Sequence, residues 1–85
     1  MKVVFSAELL NALPIYLGIS RNKFIEQYNL KYTKGYISRI VKGDKPLTDE
    51  FQAELNRIWN DELGLTFENL EEIYQLIKTI NSNHK

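Results

Sequence analysis

The sequence has no cysteine, only two prolines and four glycines, a single histidine, and no net charge. Without cysteine there can be no disulfide and no thiolate metal site, which fits a reducing compartment. His84 has no second histidine, and no carboxylate stands at ligand spacing from it, so no metal site is expected. No apolar run approaches the roughly 18–20 residues needed to span a membrane. The start Met1–Phe5 is broken at once by Ser6, Glu8 and Asn11 and does not read as a signal peptide. A bacterial or phage cytoplasm is the expected location. There is no glycine-rich phosphate loop, and no serine has a base partner within a motif. The pairs Asp61-Glu62 and Glu71-Glu72 are neighbours in sequence, which on a helix do not face each other, so they read as solvated. Neither an enzyme nor a cofactor is expected.

What is present is one domain's worth of chain. The 85 residues, 44% hydrophobic and 26% charged, can build a modest core but not a core plus a deep substrate cavity. One domain is expected over residues 1–80, with 81–85 as a polar, fraying tail. The neutral total conceals an asymmetry. Residues 1–48 carry eight Lys/Arg against three Asp/Glu, and residues 49–85 carry three against eight. Binding to a polyanion depends on the local field and not on the sum; two ordinary solvated faces of opposite sign would look the same.

Apolar spacing is helical almost throughout. A first helix is expected over Ala7–Leu17, capped by Ser6 and ended by Gly18, with Pro14 either kinking it or starting a new piece. A second is expected over Arg21–Tyr28, capped by Ser20 and closed at Asn29. A third should run over Lys34–Lys42, between its cap Thr33 and its stop Gly43, with Ile37, Ile40 and Val41 facing inward. A fourth opens at Thr48 and reaches about Asp61, showing Phe51, Leu55, Ile58 and Trp59. A fifth, capped by Thr66, carries Phe67, Leu70, Ile73, Tyr74, Ile77 and Ile80. Val3-Val4-Phe5 could be extended, but no strand partner is evident.

Helices two and three together have the layout of a helix-turn-helix. The third buries one face and presents Lys34, Gly35, Ser38 and Arg39 on the other. Lys31 precedes it, and Lys42 and Lys45 follow. Its length of roughly 15 Å suits a major groove about 12 Å wide. Arginine can bond the O6 and N7 of guanine together, which makes Arg39 the foremost specificity candidate; its alternative is a surface ion pair with Glu26. Gly35 weakens the helix by about 1 kcal/mol relative to alanine. Either close approach of DNA to the backbone or simple tolerance would account for it.

The run from Ser20 to Leu30, followed by Thr33-Lys-Gly-Tyr-Ile-Ser-Arg-Ile-Val-Lys-Gly43, resembles the Cro and phage-repressor (XRE-type) helix-turn-helix family. Ile37-Ser38-Arg39-Ile40 with Gly43 is the most telling part. The resemblance covers about residues 6–62. It implies an all-α, lambda-repressor-like bundle of about five short helices. It also implies base contacts from Lys34, Gly35, Ser38 and Arg39, and phosphate contacts from Arg21, Tyr36, Lys42 and Lys45, to which the flanking Lys31 and Thr33 are added. Two departures stand out. The turn is two residues longer, with Lys31 and Tyr32 extra, and Ile25 replaces the usual small residue, which should widen the crossing of helices two and three.

The expected function is sequence-specific binding of double-stranded DNA by a small repressor-like regulator, with residues 33–42 in the major groove. Helix five offers two readings: its stripe packs within the chain, or it forms a homodimer seam at Leu70, Ile73, Tyr74 and Ile77. The alternative is a helix-turn-helix scaffold used to bind another protein, as an antirepressor, antitoxin or adaptor would, and the acidic second half motivates it.

Overall fold

The computed structural model describes residues 1–82 and is all-helical. Helix α1 spans Ala7–Leu17, α2 Arg21–Gln27, α3 Lys34–Lys42, α4 Asp49–Arg57 and α5 Phe67–Ser82. Side-chain caps set four of the starts: Ser6, Ser20, Thr33 and Thr48 each accept a hydrogen bond from the backbone N–H three residues on. Thr66 and Asn69 cap α5 reciprocally; Thr66 N–H donates to Asn69 Oδ1 at 2.8 Å.

Pro14 does not start a new helix. α1 continues through it, with the ring buried. Gly18 then ends α1 at a φ of +75°. α4 does not continue regularly to Asp61. At Ile58 it widens into a π-helical turn, Ile58–Glu62, closed by a Leu63 N–H to Ile58 carbonyl bond of 2.9 Å. The turn keeps Ile58 and Trp59 fully buried. α5 runs past the expected boundary at residue 80, because Asn81 donates to Glu8 of α1 at 3.1 Å. His84 lies outside the described residues.

The core gathers Leu9, Leu10 and Leu13 of α1, Phe24 of α2, Ile37 and Ile40 of α3, Phe51 and Leu55 of α4, Trp59, and Leu70 and Ile73 of α5. α5 lies against α1. The Tyr16 hydroxyl donates to Glu72 and accepts from Asn69 at 3.0 Å. The bond to the Glu72 carboxylate holds the Tyr16 pKa above its ordinary value. Phe5 meets Trp59 edge to face at 6.1 Å, and the Trp59 indole N–H has no acceptor among the described residues.

The N-terminal segment finds a partner that the sequence did not suggest. Val3 and Phe5 are buried, while Lys2 and Val4 face outward, as in an extended strand. Its neighbour is a row of carboxamides on the fourth helical stretch. Gln52 accepts from the Phe5 N–H at 2.8 Å and donates to the Phe5 carbonyl at 2.6 Å. Asn56 does the same for Val3, at 2.6 and 2.7 Å, and Asn60 for Met1, at 3.1 and 2.6 Å. The match is geometric. Four helical residues rise about 6 Å, and two strand residues about 6.6–6.8 Å. Amides at i, i+4 and i+8 therefore stay in step with alternate residues of the extended segment.

Candidate nucleic-acid interface

α3 is anchored by Ile37 and Ile40, which are 1% and 2% exposed. At about 100° per residue, Gly35, Arg39 and Lys42 fall within about 60° of one another on the opposite side. All three are exposed, as is Lys34. Among the described residues none of these three cations pairs with a carboxylate, so the alternative Arg39–Glu26 pair does not form. Thr33 is exposed too. Its oxygen accepts from the Tyr36 N–H at 3.1 Å, which leaves its hydroxyl proton to donate elsewhere.

The other candidates have intramolecular roles. Ser38 is half-buried, and its oxygen accepts from Arg21 at 2.9 Å. The same guanidinium donates to Asn11 of α1 at 2.6 Å. Arg21 thus ties α1, α2 and α3 together at the start of α2. This link was not legible in sequence, because the three residues are far apart along the chain.

Lys31 is exposed but pairs with Glu50 at the start of α4. The bond to that carboxylate raises its pKa above the ordinary lysine value. Tyr32, in the turn between α2 and α3, is partly buried. Its ring stacks on Phe51 at a centroid distance of 4.0 Å and 12°, and on Tyr36 at 5.4 Å. Phe51 is fully buried, so Tyr32 extends the core, while Lys31 beside it stays exposed. Tyr36 is half-buried in this stack, with the half-buried Lys45 placing its ammonium 5.7 Å from the ring centroid. Ile25 is half-buried and packs against the core, as its bulk requires.

The expected dimer seam on α5 divides. Leu70 and Ile73 are 8% and 0% exposed, covered within the chain, so neither is available to a second copy. Tyr74 is 44% exposed and Ile77 half-buried; Phe67, two turns before Tyr74 and outside the expected seam, is 62% exposed.

A hollow of about 640 Å³ lies between the N-terminal segment and α4, lined by Lys2 and Asp49 among others. No residue of α2 or α3 lines it, so the exposed face of α3 is a surface apart from it. Among the described residues no cluster of three metal-ligating side chains forms, and no helix is long and apolar enough to cross a membrane. The chain matches no family model, no curated protein and no solved structure.

Proposed function

We propose that the protein binds double-stranded DNA sequence-specifically, as a small repressor-like regulator, by laying α3 in the major groove. The observation that carries this reading is the outward ridge of α3: Arg39 and Lys42 around a bare Gly35, exposed like the neighbouring Lys34, none of the three cations with a carboxylate partner among the described residues, and the opposite face fixed in the core. Arg39 stands where a guanidinium can bond a guanine edge, and Lys34 and Lys42 flank it for phosphates. Thr33, Lys45 and Tyr36 border the same surface, and the resemblance to the XRE-type family supports the reading. Arg21 serves it by holding Ser38 and thus the seating of α3. A homodimer would use Phe67, Tyr74 and Ile77 of α5 on a two-fold operator.

The test is selection of bound duplexes from a random-sequence pool. Enrichment of one motif is the expected outcome, with affinity falling by orders of magnitude as salt rises. Failure to bind any duplex at low salt would sink the reading. The second reading, a protein-binding module, is favoured by the exposed Phe67 and Tyr74 among the acidic residues Glu68, Glu71 and Glu72. It predicts no enrichment at all.

A further inference from the structure

We infer that Gly35 is the point of closest approach between α3 and the duplex, and that its missing side chain sets the depth at which Arg39 reads bases. The inference rests on the DNA-binding reading above. It begins from an inconsistency within the chain. Gly18, Gly43 and Gly64 have φ values of +75°, +89° and +59°, a conformation that side chains rarely adopt. Gly35 does not belong with them: it lies in the first turn of α3, with helical geometry. There, glycine lowers helix stability relative to alanine.

Close packing would be the other intramolecular reason for a glycine. A β-carbon built at Gly35 meets one atom within 4 Å, Thr33 Oγ1, at 4.0 Å, which is ordinary contact. Neither backbone conformation nor packing asks for glycine at this position. The fold would be more stable with a side chain there.

The position is also the middle of the outward ridge. Gly35 stands between the directions of Lys42 and Arg39, neither of which has a carboxylate partner among the described residues. A methyl group adds about 1.5 Å beyond the Cα. Hydrogen bonds from a guanidinium to a base edge hold only over about 2.7–3.2 Å. A side chain at Gly35 would therefore lift Arg39 out of bidentate reach while leaving every internal contact of the protein unchanged. Gly35 acts as a determinant of specificity through the space it leaves open.

The experiment compares wild type with Gly35→Ala and Gly35→Leu, both good helix formers. Thermal midpoints are read by circular dichroism. Affinities are read by anisotropy of a fluorescein-labelled duplex enriched by the wild type or, if none is enriched, a mixed-sequence duplex at low salt. The expected result is a midpoint raised by about 4–8 °C for Gly35→Ala. Affinity should fall about 10-fold for Ala and at least about 100-fold for Leu, with preference lost at the base that Arg39 reads. Unchanged affinity and preference in Gly35→Leu would overturn the inference and leave the DNA-binding reading intact. A lowered midpoint in Gly35→Ala would overturn it too, because the fold itself would then need the glycine. Absence of binding by the wild type would overturn the DNA-binding reading, and this inference with it, before any variant is compared.

Discussion

The side-chain amide of Asn56 pairs with both backbone groups of Val3, accepting its N–H at 2.6 Å and donating to its carbonyl at 2.7 Å. It imitates the edge of a neighbouring strand. Asn56→Ala leaves two partly buried backbone groups without partners, which should cost about 2 kcal/mol. For a domain of this size the midpoint should drop by roughly 8–16 °C. Emission from Trp59, the sole tryptophan and fully buried, provides the unfolding signal. A shift of a degree or less would show that the carboxamide row is incidental.

The Lys31–Glu50 pair makes a prediction on charge. Glu50→Gln releases Lys31 toward phosphate. DNA affinity at low salt should rise several-fold, and the slope of log affinity against log salt should steepen by about 0.9. An unchanged slope would remove Lys31 from the phosphate contacts. The pH dependence follows from the raised Lys31 pKa. A lysine whose folded pKa exceeds its unfolded one contributes stability at neutral pH and loses it as pH climbs through the raised folded value. The difference in melting between wild type and Glu50→Gln should therefore be constant near neutrality and vanish in strong alkali.

Arg21 donates to Ser38 and Asn11 through a planar fork. Arg21→Lys should fail to restore what Arg21→Ala loses, because an ammonium is a single point of contact. Both should lower stability by about 1–2 kcal/mol and weaken DNA binding without altering the preferred motif. Ser38→Ala should leave that motif unchanged as well. A changed motif in the selection experiment would show that Ser38 reads a base as well as accepting from Arg21.

The stack of Tyr32 on Phe51 separates ring from hydroxyl. Tyr32→Phe keeps the ring and should be close to neutral in denaturant titration. Tyr32→Ala should cost about 2 kcal/mol, and Phe51→Ala about 3–5 kcal/mol. Equal effects of Tyr32→Phe and Tyr32→Ala would place the stabilisation in the hydroxyl instead.

Much of the architecture was legible because its determinants are local. Ser6, Ser20, Thr33 and Thr48 announce helix starts, Gly18 and Gly43 announce ends, and the apolar spacing of α3 and α4 identifies Ile37, Ile40, Phe51 and Leu55 as core. The elements that escaped depend on distant pairings. Leu70 and Ile73 read as part of an α5 stripe, but only the packing of α1 shows that they are covered. Arg21 and Ser38 both read as surface residues until three helices converge. The spacing of Gln52, Asn56 and Asn60 was a visible signal beside an unpartnered Val3-Val4-Phe5. Periodicity in amides is not ordinarily taken for a strand partner. Of the candidate interface, the exposure of Lys34, Gly35 and Arg39 was readable from helical spacing, whereas the half-burial of Ser38 and the engagement of Lys31 by Glu50 were not.

The carboxamide row has a consequence for how the molecule responds to its medium. The two rungs at Gln52 and Asn56, unlike the one on the Met1 ammonium, carry no net charge to screen and no proton to lose near neutrality. The grip of Gln52 and Asn56 on Phe5 and Val3 is therefore indifferent to ionic strength and to pH over the range in which proteins work. The cations along α3 are sensitive to salt by their nature. One side of the protein is thereby tuned by the surrounding electrolyte while the fastening of its extended N-terminal segment stays constant.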